Sequence, residues 1–288
     1  MNPIADLPHE AALALKRLRP QWQLDAVADI GLLPGGYAND NYEFKYRDAE
    51  YVLRVARSSP VSIDRAFEKR LLGGPVALLT APLVAYVLPE GHMLTRKVAG
   101  PLLVDAARDR AAVAQYLARL HLRMPQLGRR YDIVQTIARD LRVAAQHGEA
   151  APPWFAKEHE SLTRAALQVR PCHNDLNPWN VIVSAADPGR WCTLDWEFAG
   201  DNDPLFDLTC LAEGLGWSVD ETDALIDAYL ELIESSRSPT TPQRRTIRKA
   251  YFLREYAWAL AQLAIGNRRP EIEAQLARSA ERLFELNG

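Results

Sequence analysis

Residues 172–208 read CHNDLNPWNVIVSAADPGRWCTLDWEFAGDNDPLFDL, and the fold turns on how this stretch is read. Two short apolar runs, 180–184 and 191–194, flank residues 185–190, where Asp-Pro-Gly supplies turn residues. The spacing predicts a β-hairpin. His173, Asp175 and Asn180 precede the first strand; Asp195 and Glu197 follow the second. Pairing the strands brings Asn180 and Asp195 to the same end, with Asp175 beside them. An amide oxygen and carboxylates that converge in this way can hold a hard divalent cation and leave one carboxylate to orient a hydroxyl. A loop rich in turn-forming Asn and Asp accounts for one or two of these residues. It does not account for polar groups framing a strand pair at fixed offsets.

Upstream, residues 7–18 are apolar at helical spacing and end near Pro20, which predicts a leading helix. Residues 30–33 and 42–46 read as two strands joined by residues 34–41, PGGYANDN. Paired glycines followed by Asn and Asp make a loop rich in backbone N–H groups, able to approach phosphates. A double glycine between strands is more often only a turn. Residues 51–55, YVLRV, form a third strand whose Arg54 is a cation inside an apolar run and wants a partner or an anion. Residues 62–72 read as a helix with Ser62 or Asp64 near its start; the pattern leaves open whether Glu68 faces inward or outward. Residues 83–88 and 92–98 form a further hairpin around Pro89-Glu90-Gly91.

Ala99-Gly100-Pro101 then breaks the pattern, and nearly every later segment reads as helix: 103–122, 131–146, 154–167, 204–215, 220–235, 242–265 and 271–286. The expected organisation is α+β in two lobes: residues 1–99, a small antiparallel-sheet lobe, and residues 100–288, a larger helical lobe. His121 on an apolar helix face reads as a core histidine rather than a ligand. Arg237, Arg244, Arg245, Arg248 and Lys249 read as a solvated helix start rather than a binding patch.

The composition sets bounds. A 288-residue chain, about half hydrophobic and a quarter charged, is ordinary for a globular protein and long enough for two lobes. A formal charge of −3 offers no electrostatic reason to expect nucleic acid or an anionic membrane as partner. Residues 1–18 carry acidic groups and lack an apolar core, so they do not read as a signal peptide. The longest apolar run, 76–88, is broken by Thr80 and Pro82 and is too short to span a bilayer. Cys172, Cys192 and Cys210, an odd number without an export signal, favour reduced buried thiols in a cytoplasmic protein.

Residues 173–180, HNDLNPWN, resemble the HxDxxxxN catalytic loop of small-molecule kinases with a protein-kinase-like fold, and Asp195 stands where their metal-binding Asp stands. Within that group the chain is most similar to the choline/ethanolamine kinases, which also resemble the aminoglycoside phosphotransferases. The shared features are the His-Asn-Asp-Leu opening, Asp195-Trp196-Glu197-Phe198 and Phe206-Asp207. In the first lobe they are the Gly35-Gly36 loop with Asn39 and Asn41, residues 51–54, and Ile63-Asp64-Arg65 with Glu68. The resemblance implies ATP and Mg²⁺ as cofactors. It implies Asp175 as the base that receives the acceptor hydroxyl and Asn180 and Asp195 as metal ligands. Arg54, steadied by Glu68, grips phosphate together with the loop of Gly36, Asn39 and Asn41. His173 and Asp207 are supports of the catalytic loop. Glu197 either assists the metal or faces the substrate.

For the acceptor, the resemblance implies a small cationic alcohol of the choline or ethanolamine kind, for which acids and aromatic faces are suited. Glu213 and Trp217 fall near the family's substrate-facing positions. Tyr251, Glu255 and Trp258 share one helix face at i, i+4, i+7. Trp258 resembles the first of two family tryptophans three residues apart; here the second position is Ala261. A missing cage wall leaves room for thiamine or an aminoglycoside-like acceptor instead. Core packing is an equally good account of Trp217 and Trp258. From another class, a catalytically silent kinase-fold binding protein needs no full set of Asp175, Asn180 and Asp195.

Overall fold

The structure is a computed structural model and describes residues 7–34, 39–57, 63–106, 109–160, 162, 169–184 and 190–287. In chain order the elements are α1 (His9–Leu18), β1 (Val27–Leu32), β2 (Asn39–Tyr46), β3 (Ala49–Ala56), α2 (Arg65–Leu72), β4 (Leu83–Tyr86), β5 (Met93–Arg96), α3 (Arg110–Arg123), α4 (Ile133–Gln146), α5 (Pro153–Glu160), β6 (Arg170–Cys172), β7 (Val181–Ile182), β8 (Cys192–Thr193), β9 (Gly200–Asn202), α6 (Leu205–Gly214), α7 (Val219–Leu232), α8 (Thr241–Ala264) and α9 (Pro270–Glu285). The class is α+β. The chain divides into two units: Met1–Ala106 with Trp179–Glu197, and Ala107–Pro178 with Phe198–Gly288. A cut at residue 99 would leave the 179–197 hairpin with the helical part; here it belongs to the strand-rich unit. Backbone hydrogen bonds are the reason. Val183 N–H donates to Pro101 O, and Thr193 N–H donates to Leu79 O.

In the first unit an antiparallel sheet runs in the order β1-β2-β3-β5-β4. Along β3 side chains alternate between faces. Tyr51, Leu53 and Val55 enter a core shared with Ala11, Ala14 and Leu15 of α1, Phe44 and Leu94. Each large apolar side chain fully buried there contributes about 1.5–3 kcal/mol. Arg54 therefore lies on the opposite face from that core. Helix α2 starts where the Asp64 side chain accepts a hydrogen bond from Phe67 N–H (2.9 Å), and it buries Phe67, Glu68, Leu71 and Leu72. Glu68 thus faces inward; Ser62 lies outside the described residues. So do Gly35, Gly36, Tyr37 and Ala38. The expected loop over 34–41 is shorter than the spacing suggests. Asn39 and Asn41 already belong to β2, paired with Ala56 and Arg54, because β3 is long enough to take their backbone groups in register. The hairpin pairs Val181 with Thr193 and Ile182 with Cys192; its turn, residues 185–189, is outside the described residues.

The second unit is mainly helical. One of its cores gathers Tyr251, Phe252, Leu253 and Leu260 of α8 against Ile137, Phe155, Phe206 and Leu283. The helix expected over 103–122 begins later. Leu103–Asp105 is a 3-10 turn, and α3 starts at Arg110, where Asp109 caps Ala111 N–H at 3.0 Å. Of the helix expected over 154–167 the described part is α5; residues 161 and 163–168 are outside the described residues. Strands β6 and β9 pair antiparallel, a ladder that three-residue strands are too short to announce by periodicity. The basic residues of α8 are not simply solvated. Arg244 pairs with Asp227 at 2.5 Å, and Arg248 is buried, with its Nε 3.4 Å from Glu213 and its Nη2 3.9 Å from Asp223; Lys249 pairs with Glu158. Acidic side chains of α5, α6 and α7 meet them, which a one-helix reading cannot see. The three cysteines are free and buried. No described helix is long and apolar enough to cross a membrane.

Gly100 sits at φ +141°, where L side chains are rarely found, and a methyl group there would collide with the Val183 carbonyl oxygen. Gly100→Ala is expected to destabilise the fold by about 1–3 kcal/mol through backbone strain. Urea unfolding measures it, and an unchanged midpoint would refute the steric argument.

Candidate active site

In the first unit the β3 cation meets its partner. Arg54 Nη1 donates to Glu68 Oε1 (2.6 Å) and Nη2 to Glu68 Oε2 (2.9 Å), a two-pronged carboxylate grip. Nη2 also reaches the Gly91 carbonyl (3.2 Å) and Tyr86 hydroxyl (3.3 Å), and that hydroxyl donates to Glu68 Oε2 (2.5 Å). Arg65 Nη1 bridges Glu68 Oε2 (2.9 Å) and Glu197 Oε2 (2.8 Å). Asp195 Oδ1 lies 3.5 Å from Arg54 Nη1. Two guanidinium groups and three carboxylates therefore share one cluster. Arg54 and Glu68 are 5% and 1% exposed, whereas Asp195 is 34% exposed, so the cluster opens to solvent at Asp195.

The protonation of these groups follows their neighbours. Burial pushes the Glu68 carboxyl upward, but Arg54 outweighs it and holds the group below the usual carboxylate range. Glu197 goes the other way: burial first, then the Asp195 charge, push it up to about 8, against the pull of Arg65. Oxygens of Glu68, Asp195 and Glu197 lie within 4.8 Å of one another. Hard carboxylate oxygens with one member open to solvent are a donor set that fits a divalent cation such as Mg²⁺. Asn180 stands at the same hairpin end, since Leu194 N–H donates to the Asn180 carbonyl at 2.8 Å. Asp195 itself has φ +59°, a left-handed conformation that Asp tolerates better than most residues.

In the second unit the loop around Asp175 is held from several sides. Asp207, fully buried on α6, accepts from His173 N–H and Asn174 N–H, both at 2.7 Å. His121 Nε2 lies 3.0 Å from the same carboxylate, and His121 Nδ1 lies 2.9 Å from the Tyr229 hydroxyl. Burial pushes the Asp207 carboxyl upward, but the His121 hydrogen bond and the His173 contacts hold it below the ordinary range. His173 is buried, and its Nδ1 accepts from Asp175 N–H at 3.2 Å. Asn174, at φ +66°, donates from Nδ2 to the Phe198 and Gly200 carbonyls (both 3.1 Å) and accepts from Asn202 Nδ2 (2.7 Å).

Asp175 meets a residue that the sequence reading did not single out. Arg254 of α8 donates from Nη1 (2.9 Å) and Nη2 (2.8 Å) to Asp175 Oδ1, and its Nη2 lies 2.7 Å from Glu255 Oε1. A signal existed: like Arg54, Arg254 is a cation inside an apolar run, AYFLREYAWAL. Glu255 is accordingly paired with Arg254 and with Gln275 Nε2 (2.9 Å). Glu213 pairs with Arg248, and burial pushes its carboxyl upward. Trp217, Tyr251 and Ala261 are buried, and Trp258 is half-buried. Glu197, expected on the metal or the substrate, lies in the Arg54 cluster of the first unit.

A fold with an Arg–Glu grip and a carboxylate hairpin in one unit and a clamped His-Asn-Asp loop in the other defines a phosphotransferase class. Residues 29–247 match the model of the phosphotransferase enzyme family, and the chain belongs to that family. Protein LicA of Haemophilus influenzae is 41% identical over 72 residues, 25% of this chain and 26% of that protein, so this match spans about a quarter of either. A homoserine kinase of Burkholderia mallei is 28% identical over 257 residues, covering 77% of this chain and 76% of that one. The crystal structure of choline kinase LicA from Streptococcus pneumoniae superposes with a TM-score of 0.77 over 96% of this chain and 100% of its own, at 19% identity. The shared property at that identity is the protein-kinase-like two-lobe fold.

Asp207→Asn is expected to destabilise the protein by about 2–3 kcal/mol at pH 7, the range for hydrogen bonds to a charged group. Because the folded-state value is depressed, the carboxylate's contribution is fully present above its unfolded value near 4 and is lost as pH falls through the lower folded value. Urea unfolding at stepped pH checks this. A stability gap between wild type and variant that stays constant from pH 7 to about pH 2 would rule out the linkage.

Proposed function

We propose that the protein transfers the γ-phosphate of ATP to the hydroxyl of a small cationic alcohol of the choline or ethanolamine kind. The observation that carries the reading is the Arg54–Glu68–Asp195 cluster: a buried, carboxylate-held guanidinium beside a solvent-open carboxylate on a hairpin end. Arg54, steadied by Glu68 and Tyr86, grips phosphate oxygens. Asn39 and Asn41 of β2, together with Gly36, are the further residues proposed to contact the phosphates. Asp195 and Asn180, with Glu197 nearby, would hold Mg²⁺. The ion, when bound, neutralises charge on the β- and γ-phosphates. Asp175 accepts the hydrogen bond of the acceptor hydroxyl, orients it, and takes its proton as the new O–P bond forms and the bond to ADP breaks. His173 and Asp207 keep the loop backbone in place. Glu213, Trp217 and Trp258 are the proposed acceptor-side residues. The chain acts as two lobes, with the phosphate grip in the first and the acceptor side in the second.

Ala261 is buried at the second family tryptophan position, which removes one aromatic wall and supports a second reading with a larger or differently shaped amine-bearing alcohol, such as thiamine, an aminoglycoside or homoserine. The test is ADP release from Mg·ATP with choline, ethanolamine, thiamine, homoserine and kanamycin in turn. One acceptor is expected to be turned over, and Asp175→Ala to lower kcat by about 10²–10⁴-fold. Tight ligand binding without turnover of any acceptor would instead favour a silent binding protein. Trp258→Ala is expected to raise the acceptor KM with little change in kcat. An unchanged KM would remove Trp258 from the acceptor site.

A further inference from the structure

Arg254 is a buried guanidinium whose contacts are unequal. Both of its terminal nitrogens donate to a single oxygen, Oδ1 of Asp175, and Nη2 is shared with Glu255 Oε1. Its Nε–H is buried and has no hydrogen-bond partner among the described residues. A guanidinium placed only to stabilise a fold is best served by a fork on both carboxylate oxygens. Here the fork closes on one. The guanidinium is itself fixed: Glu255 on the next residue of α8 holds Nη2, Gln275 of α9 holds Glu255 Oε2 at 2.9 Å, and the Phe206 ring lies 5.9 Å below the Arg254 carbon. Phe206 directly precedes Asp207, whose carboxylate takes the two backbone N–H groups just before Asp175. The loop is thus gripped twice by neighbouring residues, at its backbone by Asp207 and at the Asp175 side chain by Arg254.

From this arrangement we infer that Arg254 is a positioning residue for phosphoryl transfer, fixing the Asp175 carboxylate in one orientation by two hydrogen bonds to Oδ1. The inference rests on the role proposed for Asp175. Two donors on one oxygen stop the carboxylate from turning about its last bond, so the plane of the acid is set before an acceptor arrives. Orientation is the larger part of what such an acid supplies when the transition state is loose, because the hydroxyl need not lose its proton early. Charge is balanced as well. Asp175 and Glu255 share one guanidinium, so a cationic acceptor approaching Asp175 meets a net negative group rather than an exposed cation.

The experiment compares Arg254→Lys, Arg254→Met and Asp175→Asn with wild type, using Mg·ATP and whichever of choline, ethanolamine, thiamine, homoserine or kanamycin the wild type phosphorylates. Thermal melting and Mg·ATP affinity serve as fold controls. Arg254→Met is expected to lower kcat about 10²-fold, the scale of a roughly 1 Å misplacement, with Mg·ATP affinity within about twofold of wild type. Arg254→Lys keeps a cation at the site and is expected to recover at least about tenfold of that loss. A kcat within about threefold of wild type in a folded Arg254→Met protein overturns the inference. So does a rise confined to the acceptor KM, which would make Arg254 a substrate contact. Equal losses in Lys and Met variants, tracking a lowered melting temperature and weakened Mg·ATP binding, overturn it in favour of a structural role. A wild-type-like Asp175→Asn, or a wild type that turns over none of the five acceptors, refutes the parent reading instead, and is told apart by that control alone.

Discussion

A guanidinium taken out of water must be met by carboxylates, and much of this molecule is arranged to satisfy that constraint. Arg54 projects from the middle strand of a sheet on the face opposite the apolar core, and at 5% exposure it cannot be hydrated. Helix α2 answers by turning Glu68 inward, which fixes the helix's rotation. The Tyr86 hydroxyl and the Gly91 carbonyl accept further hydrogen bonds from Arg54 Nη2. Arg65 then links Glu68 to Glu197 and draws the end of the 179–197 hairpin into the same unit. Remove the central pair and each of these elements loses the reason for its orientation.

The same solution recurs in the second unit with different consequences. Arg254 is buried too, but its carboxylates, Asp175 and Glu255, come from a loop and from its own helix. Arg54 meets both oxygens of Glu68, whereas Arg254 spreads over two acids and brings both terminal nitrogens to one oxygen of Asp175. Asp207 completes the pattern: a fully buried anion whose acceptor capacity is spent on backbone N–H groups and a histidine. Buried charge in this chain is used to hold backbone and side chains at fixed positions, and the apolar cores around it keep water from competing for those contacts.

Much of the fold was legible because local rules carried it. Alternation in YVLRV, Asp64 before a helix, and turn residues between short apolar runs each act over a few residues. Errors fell where the deciding contact is distant. Asn39 and Asn41 read as loop, yet β3 extends far enough to pair them. The basic start of α8 read as solvated, yet acids of other helices bury Arg248. Strands β6 and β9 were invisible because three residues show no period. The acceptor-side residues were the least legible. Glu213 falls near a substrate-facing position in the sequence, but its pairing with Arg248 of α8 leaves no trace there.

By itself the sequence determined the chemistry available: the spacing of Asp175, Asn180 and Asp195 around a hairpin, a cation in a central strand, and the order of a strand-rich part before a helical one. These are matters of residue type and local periodicity, which a linear reading can reach. Tertiary structure alone decided the pairings of charge, because an ion pair between residues 141 positions apart, such as Arg54 and Asp195, or 79 apart, such as Arg254 and Asp175, leaves no periodic trace. Which carboxylate is held down, which is pushed up, and which is clamped by a guanidinium depends on burial and distance, and both exist only once the chain has folded.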